Sequence, residues 1–332
     1  MQITYRNYYE SDVEGIIRFW NENSGWETDL DLKKFNVRFC SSHVAKPIIM
    51  LAIDDDINEI VGLCSFIPLG VTINHVDKKC YRPLGAIFKE SFRQKFGLTS
   101  FLTGKHPIIQ LCYHGAEKAK ESDAALIYLI PDPRWGKILS VMPCETRQFP
   151  LWSYNLAIAK PFELGSEISI GKIDPSDPGI DLLWQQSPKT DLCTLTKDAP
   201  FYHLKVCASQ GRYKLWGVRS GNQLIGVFTL DKKEGSRQWL ICDLLASDHH
   251  EILLIIIKAA CNTIHGEFLQ LNNKSDQPYK AAILATQLIE QKVKTLGFFK
   301  DNYNFVFAVH RLNGEFTKKE VAPERWYISA ND

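Results

Sequence analysis

At 332 residues the chain is about twice the usual single-domain length, which favours two globular units over one. Hydrophobic residues make up 45%, charged residues 23% and aromatics 11%, which excludes a disordered, fibrous or collagenous chain and allows a sizeable core in each half. Lys and Arg total 39 against 38 Asp and Glu, a formal charge of +1, so no global field holds the chain on nucleic acid or anionic lipid; neither is an expected partner, and only a local basic pocket is compatible with this balance.

The start, Met1-Gln2-Ile3-Thr4-Tyr5-Arg6, has neither the basic opening nor the apolar stretch of a secretory signal, so the expected compartment is the cytoplasm. The longest strongly apolar stretch, Ile252 to Ile257, is far short of the roughly 18 residues that suggest a membrane span. Nine scattered cysteines without a Cys-x-x-Cys read as reduced core residues, not as a disulfide frame or a zinc site.

In chain order, a first strand leads to a helix in which Ser11 and Glu14 have capping-box spacing and Val13, Ile16, Ile17 and Trp20 share a face. Ile48 to Ile53 and Glu59 to Phe66, joined across Asp54 to Asn58, predict a hairpin. Strand-like runs follow at Cys80 to Phe88 and Leu98 to Leu102, then the turn Thr103-Gly104-Lys105-His106-Pro107. Beyond it Ile108, Leu111, Cys112, Gly115, Ala116 and Ala119 share one helical face, and Ala124 to Ile130 is a short buried strand closed by Pro131-Asp132-Pro133. Gly, Ser, Asp and Pro dominate Gly165 to Gly179, so the expected organisation is a domain over 1–165, a linker over 166–179 and a second domain over 180–332. The second half repeats the order: hairpin Tyr213 to Arg219 and Gln223 to Leu230, strand Gln238 to Leu245, helix Glu251 to Ile264, strand Phe268 to Leu271, helix Tyr279 to Leu296, strand Asn304 to Val309.

An antiparallel hairpin feeding a strand, turn, helix and further strand resembles the GNAT (N-acetyltransferase-like) acyltransferase superfamily. The resemblance implies an α/β fold of two GNAT-like domains, each with a mixed, mostly antiparallel central sheet flanked by helices. Members of that family hold the coenzyme A diphosphate on an Arg/Gln-x-x-Gly-x-Gly/Ala loop before a helix. Here Thr103, Gly104, Lys105, His106, Pro107 and Ile108 stand at that point, with Thr103 in place of Arg or Gln, His106 in place of the first motif glycine and Ile108 in place of the second small residue. A helix start favours an anion, Pro107 suits the first helical position and Lys105 adds charge; a plain capped turn is the alternative. Gln94-Lys95-Phe96-Gly97-Leu98-Thr99 matches the motif letters better, but a strand-like run follows it and it lies too far from strand 124–130, so the later loop is preferred. In the second half, Leu296-Gly297-Phe298 resembles the end of the last GNAT helix, whereas Ser247-Asp248-His249-His250-Glu251 puts carboxylates where a diphosphate would sit. Coenzyme A is therefore not expected there.

Acyl transfer to an amine needs a base, an oxyanion donor and an acid for the leaving thiolate. The candidates are Tyr128 as thiolate donor or core residue, His106 as base, phosphate contact or helix cap, and Asp132 as base or turn residue, with Glu90 a further base or surface residue. Arg134 to Leu139 supplies none of the tyrosines that many members carry after this strand, and His114 reads as solvated. Adjacent His249 and His250 lack a complementary ligand pair, so no metal is expected, and no Gly-x-Ser-x-Gly elbow supports hydrolase chemistry. Seven of the eight tryptophans, Trp20, Trp26, Trp152, Trp184, Trp216, Trp239 and Trp326, are spread over both halves and read mostly as core.

Taken together, these readings predict an N-acetyltransferase moving an acetyl group from acetyl-CoA, the donor substrate, to an amine acceptor in a cleft between two domains. A catalytically inactive tandem binding or scaffold protein is the alternative, and a Fem-type aminoacyltransferase using aminoacyl-tRNA a third, against which the near-zero charge speaks.

Overall fold

A computed structural model of the chain describes all residues except 1, 26–28, 94, 98, 101–102, 133–134, 136–138, 140–141, 158–159, 210, 233–237, 271–279 and 331–332. Trp26, Gln94, Leu98, Phe101, Leu102, Leu271 and Tyr279 thus lie outside the described residues. Two compact units form, one of Met1–Val71, Asp77–Thr146 and Ala308–Pro323, the other of Thr72–Val76, Arg147–Phe307 and Glu324–Asp332. They are not consecutive halves of the chain, since the first unit takes a segment from near the C-terminus.

The first unit contains β1 (Ile3–Asn7), α1 (Val13–Asn23), α2 (Leu32–Phe35), β2 (Ile48–Asp54), β3 (Glu59–Ile73), β4 (Val76–Phe88), α3 (Glu90–Arg93), α4 (Pro107–Glu121) and β5 (Leu126–Leu129). The order β1-β2-β3-β4-β5 is completed by the last residues of β13 (Phe299–Arg311), whose Ala308 to Arg311 pair antiparallel with Leu129 to Leu126. β2 is buried along its whole length because the sheet is covered on both faces. Ile48, Met50 and Ala52 pack with Ile109, Leu111 and Cys112 of α4, and the alternating Ile49, Leu51 and Ile53 pack with Ile16, Phe19 and Trp20 of α1.

The second unit contains β6 (Glu145–Asn155), β7 (Ile168–Lys172), α5 (Gly179–Gln186), β8 (Cys193–Leu195), α6 (Ala199–Ala208), β9 (Tyr213–Ser220), β10 (Gln223–Lys232), β11 (Gln238–Ala246), α7 (Glu251–Gln270), β12 (Lys280–Leu284), α8 (Gln287–Thr295) and β14 (Trp326–Tyr327). Its strand order is β6-β12-β11-β10-β9-β7, antiparallel except for the parallel pair β11 and β12. α7 contributes Leu253, Ile256, Ile257, Ala260 and Ile264 to this unit's core. Of the tryptophans, Trp20, Trp152, Trp184, Trp239 and Trp326 are buried.

Several local expectations need correction. Lys280–Leu284 is a strand, not the start of a helix: Ala281 to Leu284 are buried between β11 and β6, and an Ala- and Leu-rich sequence becomes a strand when tertiary burial overrides its helix propensity. The neighbouring residues up to Gln270 remain helical, so the expected strand at Phe268 is absent. Thr99 and Ser100 are helical, with the Thr103 N–H donating to the Thr99 carbonyl at 3.0 Å, where a strand was expected; an apolar run this short does not fix its period. The segment read as linker carries β7, since Ile168 and Ile170 alternate onto the second unit's core and pair it with β9. At the first helix, the Tyr9 N–H donates to Asp12 at 2.7 Å in place of a Ser11–Glu14 box. A short 3-10 turn at Glu10–Asp12 starts the element one step earlier.

Gly85 interrupts β4 at φ +66°, and a Cβ there would lie 2.5 Å from the Trp20 ring. Gly85→Ala should therefore destabilise the protein by about 2–4 kcal/mol from left-handed backbone cost plus overpacking, read as a lower midpoint in urea unfolding. An unchanged midpoint would show that β4 can straighten at no cost.

Candidate functional site

Parallel strands β4 and β5 share a register only at Cys80↔Leu126 and Tyr81↔Ile127. Beyond these pairs they part: β4 continues through Arg82, Pro83, Leu84 and Gly85 to Phe88, while β5 ends at Leu129 and turns at Pro131. Pro83 lacks a backbone donor and Gly85 takes a backbone conformation foreign to a strand, so the sequence itself interrupts pairing at this point. A cavity of about 250 Å³ opens where the strands separate, floored by Cys112, Tyr113 and Ala116 of α4 and walled by Trp135, Leu139 and Met142. Small-molecule pockets typically start near about 300 Å³, so the space suits a slender chain better than a bulky ring system.

The lining is mostly apolar, with Arg82, Tyr113, His310 and three thiols as its polar groups. A hydrogen bond to Cys112 and burial hold the Cys64 thiol well above its ordinary range, and burial raises Cys144. Neither supplies a thiolate near neutrality. His310 reaches the cavity from β13, where it pairs with Ile127. Its Nδ1 lies 2.7 Å from the Pro143 carbonyl oxygen. A carbonyl only accepts, so Nδ1 carries a proton in this contact and Nε2 is the ring nitrogen left facing other partners. Sequence reading did not single out His310, because nothing in its local pattern places it beside β5.

The residues expected to act are dispersed around this cavity. Tyr128 is fully buried in β5, on the face opposite its cavity-lining neighbours Ile127 and Leu129. Asp132 is exposed in the turn beyond β5, and its carbonyl accepts from the Trp135 N–H at 2.9 Å. Glu90 is exposed at the start of α3, and His114 stacks on Tyr5 at 5.1 Å between ring centroids. His106 is buried and caps α4, its Nδ1 accepting from the Ile108 N–H at 3.2 Å, while Ile109 and Gln110 donate to the His106 carbonyl. Pro107 brings no N–H, so this helix start has its first donors engaged internally. What Thr103 to Ile108 present outward are the exposed Thr103 and Lys105, on either side of Gly104 at φ +70°, whose carbonyl accepts from the Gln110 side chain at 2.7 Å. The alternative register around Gly97 is followed by helical Thr99 and Ser100, so the strand-like run that spoke against it is not a strand there.

Among the described residues, no group of three His, Cys, Asp or Glu is placed to hold a metal ion, and no helix is long and apolar enough to cross a membrane. All nine cysteines are free.

No protein-family model and no curated protein matches the sequence. Solved structures do match. A conserved protein of unknown function from Enterococcus faecalis, described as a probable N-acyltransferase, superposes with TM-score 0.66 at 8% identity, over 94% of this chain and 73% of that one. A GCN5-related N-acetyltransferase from Anabaena variabilis gives 0.64 at 10% identity, over 94% and 73%. A tandem GNAT protein from the clavulanic acid biosynthesis pathway gives 0.54 at 12% identity, over 95% of this chain and 100% of that one. The chain therefore has the mixed α/β fold of GNAT proteins, in a tandem arrangement.

Burial lowers the His106 imidazole from 6.5 to about 4, and His249 in the second unit is likewise lowered to about 4 by burial and the Lys197 charge. A group whose folded value lies below its unfolded one stabilises fully above the unfolded value and loses that contribution as pH falls towards the folded one. Thermal stability should thus decline between pH 6.5 and 4, and His106→Asn, which keeps a capping acceptor without titrating there, should flatten the decline. An identical slope in wild type and variant would contradict this origin.

Proposed function

We propose that the first unit is an acyl-CoA-dependent N-acyltransferase site, with acetyl-CoA as donor and a primary amine as acceptor. One observation carries the reading: a narrow apolar cavity opens where parallel β4 and β5 part, with a single imidazole in its wall. The edges of separated strands offer backbone donors and acceptors to the amides of a pantetheine arm, much as an added strand would use them. The apolar floor from α4 excludes water from the thioester, which strengthens every polar contact made to it.

In this reading the neutral amine nitrogen attacks the thioester carbonyl carbon, its proton passes to Nε2 of His310, the C–S bond breaks, and the leaving thiolate takes that proton back from the imidazolium. His310 takes the role of base in preference to Tyr128, His106 and Asp132, none of which lines the cavity. Lys105 is the cation for the diphosphate at the outer end of the turn Thr103 to Ile108. At the start of α7 Asp248 accepts from the backbone N–H groups of His250 and Glu251, so a carboxylate already occupies the helix start where a diphosphate would sit. A binding protein without catalysis is the second reading, favoured by the engaged donors at the start of α4.

Calorimetry with acetyl-CoA tests the donor: binding is expected, and none up to millimolar cofactor would refute the reading. Ala86→Phe, which fills the cavity from β4, should abolish binding while leaving the fold intact by circular dichroism. Lys105→Ala should weaken binding roughly tenfold. In a thiol-release assay against a panel of amines, His310→Gln should lower turnover by about 10²–10⁴ with unchanged acetyl-CoA affinity. Full turnover in that variant would remove His310 from the chemistry.

A further inference from the structure

The second unit repeats the strand parting of the first. Parallel β11 and β12 are in register from Gln238↔Lys280 to Ile241↔Ile283, after which β12 ends at Leu284 while β11 runs on to Ala246. The space so created is not open. Tyr327, Ile328 and Ser329 stand in it against Ile241, Leu244 and Ile283, and leave no room that would hold a water molecule.

We propose that the C-terminal segment Trp326–Ala330 is an intramolecular ligand of the second unit, occupying the groove between β11 and β12 in place of a pantetheine-type arm, so that the chain carries one cofactor site and not two. The proposal rests on the acyl-CoA reading only in naming the arm that is displaced.

The segment is held by several independent contacts. Trp326 and Tyr327 pair in parallel with Cys193 and Thr194, and Trp326 to Ala330 are all buried. The Tyr327 hydroxyl donates to the Leu244 carbonyl at 2.8 Å, engaging a backbone acceptor on the parting edge of β11. Ser329 donates to Asp243 at 3.3 Å, and the Lys197 ammonium lies 4.5 Å from the Tyr327 ring centroid. Asp243 and Lys197 are fully buried and joined at 2.6 Å, with Lys205 adding a second cation at 2.8 Å. Burial alone would raise the Asp243 carboxyl, but the two ammonium groups outweigh it and hold it at about 2. Withdrawing the segment would open this charge cluster to the groove, an apolar space then lined on one side by buried ions.

The test uses the full chain. Ser329→Cys is treated with iodoacetamide under native conditions and read by peptide mass spectrometry, with the exposed Cys207 as internal standard. Modification at position 329 is expected to be at least about 100-fold slower than at Cys207, and equal rates would overturn the proposal. Should that variant not fold, amide hydrogen exchange of the wild type decides: Tyr327 to Ser329 should be protected as strongly as β11, and exchange at the rate of an unstructured peptide would overturn it. Equilibrium dialysis with coenzyme A separates the two readings. Two bound equivalents per chain would overturn the intramolecular ligand, whereas none would refute the acyl-CoA reading and leave the exchange result to decide this one.

Discussion

Two parallel strands that stop pairing part-way along their length set the organisation of this protein. In the first unit β4 and β5 share two register pairs, then Pro83 and Gly85 end the ladder and the strands separate. A sheet that opens in this way exposes backbone polar groups on both edges of the gap, and those groups must be met by another chain, by water or by a ligand. The covering elements follow from that need. α4 closes one side with Cys112, Tyr113 and Ala116, and the segment Met142, Pro143 and Cys144 closes another. The chemistry proposed for the cavity depends on the same opening, because a slender amide-bearing arm satisfies both its shape and its bonding.

Comparison of the two partings shows how one geometry reaches different ends. In the first unit the gap remains a cavity with an imidazole in the wall, and in the second it is filled by aromatic, aliphatic and hydroxyl side chains of the same chain. The helix starts differ accordingly. α4 begins at a turn bearing the exposed Lys105, whereas α7 begins at Asp248 and Glu251, acids that stabilise the helix and repel an anion. The acidic helix start and the filled groove stand together in the second unit. Neither feature alone would be decisive.

Much of the fold was legible in the sequence, and the illegible parts have physical causes. The hairpin of β2 and β3 was readable because two apolar runs flank the Asp54 to Asn58 turn, and α4 because its apolar residues recur at one-face spacing. Lys280 to Leu284 was not, because a central strand buried on both faces needs no alternation and its alanines favour a helix when read locally. The cavity was outside the reach of local pattern: it depends on β5 lying beside β4 and on the end of β13 pairing with β5, a contact spanning most of the chain. His310 was invisible for that reason, while His106 was singled out by position in a turn and proves to be a buried helix cap.

Amide hydrogen exchange of the wild-type chain with and without coenzyme A measures the central claim most directly. The account predicts slowed exchange in peptides covering Arg82 to Phe88 and Ala125 to Pro131, where the strands part around the cavity, with no change in peptides covering Ile241 to Ala246. Protection confined to the second unit, or no change anywhere at saturating cofactor, would contradict it.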